Sequence, residues 1–223
     1  MAYFGANAEH GRWDPELAAE DMPRQVRNIV ETHRRANEEF RKGGASWYPR
    51  ANELATQIGQ GNTERGAGII AALSPLTSWE SNIKKAHEVV NTGTTTHLSP
   101  DAISKAQRIH QGEHPLDVLG GNKVRSFYQN IQDPSNAEPV TIDRHAYDIA
   151  MGRPFVGLGG KSKRNITVGP SGHKPMSEDL GLSAKKRYEH FSEAYRRASG
   201  ELEIPTPNVT QAITWVTHRG AIG

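Results

Sequence analysis

The chain has 223 residues, of which 35% are hydrophobic and 23% charged. That length favours one domain over two full domains. Because the sequence contains no cysteine, disulfides, thiolate metal sites, iron-sulfur clusters and cysteine nucleophiles are excluded. The longest apolar run, 67–73, is far shorter than the roughly 18 to 20 residues that span a bilayer, so we expect an intracellular protein without membrane contact.

The formal net charge is +2, from 27 basic and 25 acidic residues, but the basic residues are unevenly distributed. From Lys161 to Arg197 the chain holds nine Lys or Arg against four acidic residues. Such a local excess can face a polyanion, although Lys185-Lys186-Arg187 also fits the solvated face of a helix.

Periodic apolar residues predict helices along most of the chain. Residues 1–22 lack this periodicity and are expected to form an N-terminal arm, whereas a helix is predicted to begin at Pro23 and to end at Gly43-Gly44. Further helices are predicted at 48–59, 63–74, 78–91, 99–111, 121–132, 143–151, 183–199 and 207–219.

Strand signals are limited to two short β-branched runs, 139–142 and 165–168, each short enough to be an extended connector. The segment 152–181 is rich in glycine, proline and basic residues and is predicted to be a loop. The predicted fold class is therefore all-α, with residues 23–223 as a single domain.

Two short motifs look like known metal-binding or phosphate-binding motifs, but the residues around them do not fit those structures. His110-Gln-Gly-Glu-His114 matches the H-x-x-E-H string of zinc proteases, yet Gly112 and Pro115 interrupt the helix that would align the two rings. The glycine-rich stretch 157–162 resembles the end of a phosphate-binding P-loop, but Phe155 stands where its first glycine belongs. The sequence therefore predicts neither a metal site nor a cofactor.

The most informative segment pairs a glycine turn with a carboxylate. Leu119-Gly120-Gly121 separates two predicted helices, and Lys123 falls in the first turn of the second one. Asp143 fits the N-cap of the next helix, where exposed amides and the helix dipole favour an anion. A carboxylate can stabilise an oxocarbenium-like transition state at C1′, and a lysine can attack C1′ to form a Schiff base.

At these residues the chain resembles the helix-hairpin-helix (HhH-GPD) DNA glycosylase superfamily, in a compact phage-type form. The resemblance rests on Leu119-Gly-Gly-Asn-Lys123-Val, on Val140-Thr-Ile-Asp143-Arg-His145 and on the upstream segment Ile70-Ala-Ala-Leu-Ser-Pro-Leu-Thr-Ser-Trp-Glu-Ser-Asn-Ile-Lys-Lys-Ala86. It implies two helical subdomains flanking a cleft and a base flipped out of DNA, with Asp143 as the catalytic carboxylate and Lys123 as the candidate nucleophile.

The same resemblance assigns further residues to the site. The residues expected to bind DNA are Gly120, Gly121, Asn122, Arg125, Arg144, Lys161, Lys163 and Arg164. Those expected to line the base pocket are Ser74, Thr77, Trp79, His145, Gln211 and Trp215. Gln211, Trp215 and His218 recur at helical spacing and share one face, where Trp215 fits either base stacking or a core position.

The chain departs from the family pattern at the hairpin. One residue is missing between Gly120 and Gly121, and the distance from Ser74 to Gly121 is shorter than in the family. Residues 120–131 therefore also match an earlier helix of that fold, an alignment in which Lys123 loses its role and Asp143 keeps it.

Three functions remain open on the sequence. The first is a DNA glycosylase, with or without AP-lyase activity, that excises a modified or damaged base. The second is a phage-type enzyme that transfers an amine or amino acid to an activated 5-hydroxymethyl pyrimidine, because phage proteins with V-T-[IV]-D-R-H and Q-A-[IV]-T-W-V-x-x-R segments look similar. The third is a non-enzymatic helical DNA-binding module. DNA is the expected partner in all three, and a monomer is favoured.

Overall fold

The computed structural model describes residues 15–152, 182 and 185–222, and within these ranges it contains eleven helices and no strand. The predicted all-α fold class is confirmed for this part of the chain. The predicted loop 152–181, apart from Gly152, lies outside the described residues together with its basic residues Lys161, Lys163 and Arg164. No described helix combines the length and the apolar character needed to cross a membrane.

The helices follow one another with short connections. They are α1 (Pro15–Arg34), α2 (Glu38–Ala45), α3 (Trp47–Ile58), α4 (Thr63–Leu73), α5 (Trp79–Thr92), α6 (Pro100–His110), α7 (Pro115–Val118), α8 (Asn122–Gln132), α9 (Arg144–Met151), α10 (Lys185–Glu201) and α11 (Pro207–Ile222). From residue 47 onward each predicted helix is present, with ends within three residues of the prediction. The four-residue α7 was not predicted.

The N-terminal region differs from the prediction. Helix α1 begins at Pro15 and has Pro23 in its interior, so residues 15–22 are helical and not part of an arm. The prediction placed the start at Pro23 because proline favours the first turn, a position that Pro15 occupies instead. Ala18 and Met22 lie buried in the core, which explains why the helix extends past the proline.

The glycine pair at 43–44 also behaves differently from the prediction. It lies inside α2 and does not end a helix, whereas the break in the predicted helix occurs between Arg34 and Glu38. Gly44 is buried, and a Cβ built on it would lie 2.5 Å from Cα of Ile213 in α11. The close approach of α2 and α11 therefore requires a residue without a side chain at this position.

The described chain forms two compact units. The first combines Met1–Ala45 with Val140–Gly223, and the second is the continuous segment Ser46–Pro139. In the first unit α9 is central, because every residue from His145 to Met151 is buried. Its side chains pack in one apolar cluster with Val26 and Ile29 of α1 and with Phe191 and Tyr195 of α10.

The second unit is built around α4. All residues from Gly66 to Leu73 are buried, since α3, α5, α6, α7 and α8 surround this helix. Gly68 lies against α7, where an added Cβ would lie 2.6 Å from Cγ of Pro115. Asn82 of α5 is buried as well, and its amide donates to the Ile70 carbonyl at 3.0 Å.

Substitution of the two adjacent glycines is expected to have opposite effects on stability. Gly44→Ala should lower the free energy of unfolding by about 1 to 3 kcal/mol, because the new methyl group overlaps the backbone of Ile213. Gly43→Ala is the matched control: its Cβ would meet no atom within 4 Å, and alanine favours a helix by up to about 1 kcal/mol over glycine. Urea denaturation of both variants measures the difference, and equal destabilisation would contradict the assigned packing.

Candidate active site

Asp143 caps the N-terminus of α9, as the sequence predicts. Its Oδ1 accepts a hydrogen bond from the Ala146 amide at 2.8 Å. Its Oδ2 accepts a second one from Nε1 of Trp215 at 3.1 Å, so both carboxylate oxygens are held by donors from two helices. The side chain is half-buried and therefore reachable by a ligand.

The segment that leads into Asp143 is fixed by Tyr188 of α10. The Tyr188 hydroxyl donates to the Val140 carbonyl at 2.8 Å and accepts from the Ile142 amide at 2.9 Å. The segment belongs to no helix or sheet, so its backbone polar groups need partners from elsewhere. The phenol replaces the bonds that a neighbouring strand would make.

A second tyrosine of α10 holds the first turn of α9. Tyr195 is fully buried, and its hydroxyl donates to the Ala146 carbonyl at 3.1 Å. Burial raises the pKa of Tyr195 well above its usual value, so the hydroxyl keeps its proton and its role as donor. The two tyrosines are seven residues apart and therefore lie on the same face of α10.

The C-terminal end of α9 is held by α1. Nδ2 of Asn28 donates to the Ala150 carbonyl at 2.9 Å, and Nη1 of Arg24 donates to the Met151 carbonyl at 3.2 Å. Gly152 follows with φ of 70°, the left-handed conformation that ends many helices. Because both ends of α9 are tied to neighbouring helices, the side chains on this helix have fixed positions.

Four basic or imidazole side chains lie near Asp143 or its partner Trp215. Arg144 Nη2 lies 3.0 Å from Nε2 of His145, and the rings of His145 and His218 are 5.5 Å apart between centroids. The guanidinium of Arg219 lies 5.0 Å from the centroid of the Trp215 ring, close enough for a cation–π interaction.

The two histidines have lowered pKa values. Burial lowers the pKa of His145 to about 4, and the opposing effect of the Asp143 carboxylate is smaller. Burial also lowers the pKa of His218. The Arg144 charge lowers it further, and the Asp143 carboxylate opposes this shift. Both rings are therefore neutral near pH 7, and each carries a nitrogen lone pair.

The predicted hairpin lies in the second unit. Helix α7 ends at Val118, and α8 begins after Gly121, which has φ of 75° and gives no side-chain cap. Gly120 and Gly121 are exposed, whereas Asn122 and Lys123 are half-buried in the first turn of α8. Lys123 thus belongs to a different unit from Asp143.

Arg125, which was expected to bind DNA, makes local bonds. Its Nη1 donates to the carbonyls of Leu116 and Leu119, at 2.6 and 3.0 Å. The guanidinium therefore ties the turn between α7 and α8 to the second of these helices.

Three residues predicted for the base pocket are in the second unit. The Ser74 hydroxyl donates to the Ala71 carbonyl, and the Thr77 hydroxyl donates to the Pro75 carbonyl. Trp79 begins α5 and packs against Trp47, with ring centroids 4.9 Å apart.

The other predicted pocket residues, His145, Gln211 and Trp215, are in the first unit. Gln211 is only 5% exposed. Trp215 is half-buried and bonded to Asp143, so it is neither a pure core residue nor a free stacking surface.

Sequence reasoning missed Asp148, Tyr188 and Tyr195. Asp148 is buried three residues after His145, on the same face of α9, a spacing visible in the sequence. The two tyrosines share a face by their spacing of seven, but nothing in the sequence indicates that their hydroxyls bind a backbone more than forty residues away.

The capping role of Asp143 can be separated from any role of its charge. Asp143→Ala should lower the free energy of unfolding by about 1 to 2 kcal/mol, because the first turn of α9 loses its cap. Asp143→Asn should cost less, since asparagine is an equally good N-cap and its single side-chain oxygen can still accept from Ala146. Its NH2 group then faces Nε1–H of Trp215, so Asn loses the second bond, as Ala does. Thermal unfolding of both variants measures this. If Asp143→Asn lowers the free energy of unfolding as much as Asp143→Ala does, the hydrogen bond to the Ala146 amide is not the main contribution of this side chain to stability.

One comparison with known proteins gives a result. A model of the family DUF7178, described as a family of unknown function, matches residues 15–222. No curated protein and no solved structure matches the chain significantly. The match covers all eleven described helices, and the chain therefore belongs to the DUF7178 family.

Proposed function

We propose that this protein is a DNA glycosylase that flips out and excises a modified or damaged base, with Asp143 as its catalytic carboxylate. The observation that carries the proposal is the fixed position of Asp143 at the N-terminus of α9, bonded to Ala146 and to Trp215. The fold that accompanies this proposal is the helix-hairpin-helix glycosylase arrangement.

The chemistry requires a carboxylate that is charged, oriented and reachable. As the bond between C1′ and the base nitrogen breaks, its electron pair leaves with the base and C1′ becomes cationic. An anion held beside C1′ stabilises this cation, and water then adds to C1′ and releases a proton. The two hydrogen bonds of Asp143 fix the plane of its carboxylate, so little reorganisation is needed when the cation forms.

The charges near Asp143 fit a nucleic-acid ligand. Arg144 and Arg219 are both at the surface of the first unit, half-buried and exposed respectively. Arg144 follows Asp143 directly in the chain and the Arg219 guanidinium lies over the Trp215 ring, so both can bind DNA phosphates without reading the base sequence.

The second unit offers two features that favour DNA contact. The exposed Gly120-Gly121 turn precedes α8, and the N-terminal end of a helix attracts a phosphate. Leu76 is 84% exposed and has φ of 59°, a strained conformation for leucine. An exposed apolar side chain of this kind can insert between stacked bases, as wedge residues do.

The test of the proposal is release of a base that depends on the Asp143 charge. Wild type, Asp143→Asn and the control Glu53→Gln are incubated with DNA that carries a panel of modified purines and pyrimidines. Glu53 is an exposed carboxylate on α3, so its loss should leave the reaction unchanged. Mass spectrometry of free bases and nucleosides should show release by wild type and Glu53→Gln, and a loss on the order of 100-fold or more in Asp143→Asn.

Other outcomes would replace the proposal. A heavier nucleoside that forms only with an added amine donor would indicate transfer to a 5-hydroxymethyl pyrimidine. Unchanged DNA, with equal DNA binding by wild type and Asp143→Asn, would indicate a binding module without chemistry.

A lyase step would require Lys123 as the nucleophile. Borohydride reduction on abasic DNA should then trap a covalent adduct with wild type and with the control Lys84→Ala, but not with Lys123→Ala. Lys84 is a suitable control because it is exposed on α5. Absence of an adduct with wild type would remove the lyase step and leave the glycosylase proposal intact.

A further inference from the structure

Two histidines and one aspartate converge next to Asp143 in the first unit. One side-chain donor atom from each of His145, Asp148 and His218 lies within 4.8 Å of the others. His145 and Asp148 are one turn apart on α9, and His218 comes from α11. None of the roles discussed above explains why these three side chains meet.

We propose that His145, Asp148 and His218 bind a divalent transition-metal ion. Two imidazoles and one carboxylate are a donor set that suits Zn²⁺, Fe²⁺, Co²⁺ or Mn²⁺ better than Ca²⁺ or Mg²⁺, which take oxygen ligands. The site shares His145 with the predicted base pocket, but metal binding does not depend on base excision and can be measured without DNA.

A separate observation points to a missing ligand at His145. Its side chain is only 8% exposed, and its Nδ1 has no hydrogen-bond partner among the described residues. Buried polar atoms almost always have a partner, so an orphan nitrogen beside two other donor groups requires an explanation. A bound metal ion would supply one.

Arg144 competes for the same lone pair. A guanidinium only donates, so its Nη2 at 3.0 Å makes Nε2 of His145 the acceptor and leaves the ring proton on Nδ1. A metal ion bound to Nε2 takes the place of Arg144 directly. A metal ion bound to Nδ1 requires the ring proton to be on Nε2, and this N–H group then points at the guanidinium, which is also a donor. In both cases Arg144 must move, which its half-exposed position allows.

The spacing of the donors is close to what an ion needs. Ligands that are each about 2.1 Å from one ion at tetrahedral angles are about 3.4 Å apart. Donors within 4.8 Å of one another therefore have to approach by up to about 1.4 Å, which needs small movements of all three side chains, including rotation of the half-buried His218. Three protein ligands leave at least one position for water, as in metal sites that perform chemistry.

The test is titration of the chelator-treated, tag-free full-length protein with Zn²⁺, followed by calorimetry, and with Co²⁺, followed by its visible absorption. Wild type should bind one equivalent with micromolar or tighter affinity. His218→Gln should weaken binding at least about 10- to 100-fold. The matched control is His190→Gln, which removes another half-buried histidine of the same unit. Asp148 is not used, because it is buried and has other partners.

A second variant distinguishes a metal site from a merely structural cluster. Arg144→Gln should bind Zn²⁺ more tightly than wild type, because it removes the cation that competes for His145. Circular dichroism confirms that each variant is folded. The proposal is overturned if wild type binds no Zn²⁺, or if His218→Gln and His190→Gln bind it equally. Base release without metal binding would refute this inference alone, whereas metal binding without base release would refute only the glycosylase.

Discussion

The candidate site depends on how α10 holds the segment from Val140 to Ala146. Residues 140–143 belong to no helix or strand whose backbone bonds would satisfy them, and two tyrosine hydroxyls of α10 bind the Val140 and Ala146 carbonyls and the Ile142 amide. Buried hydrogen bonds of this kind are costly to break, because each leaves an unpaired backbone group behind. The positions of Asp143, His145 and Asp148 all follow from this arrangement, since the segment determines where α9 begins.

Much of the fold and one important residue were predictable from local patterns. Apolar periodicity gave the helices, and the cap preference of aspartate gave the position of Asp143. The errors at Pro23 and Gly43-Gly44 have a tertiary cause, because burial of Met22 extends one helix and contact with Ile213 selects glycine inside another. Local propensity is a weak guide wherever packing decides.

The candidate site was less predictable because its parts are distant in sequence. His145 and Asp148 are one turn apart and could have been paired, but His218 joins them only through the packing of α11 on α9. The Trp215 bond to Asp143 connects residues 72 positions apart. Hydrogen bonds of single side chains over such separations leave no periodic signal, so the sequence suggested Trp215 as a stacking or core residue and not as the partner of the carboxylate.

The discontinuous makeup of the first unit has a consequence for how the protein folds during synthesis. The bond between Asn28 and the Ala150 carbonyl spans 122 residues. Helix α1 leaves the ribosome before α9, α10 and α11, so its apolar face stays uncovered until those three helices have been synthesised. The continuous segment Ser46–Pro139 can complete its own core during that interval. Chain closure over such long separations is slow, so α1 is the element most exposed to aggregation or proteolysis before release.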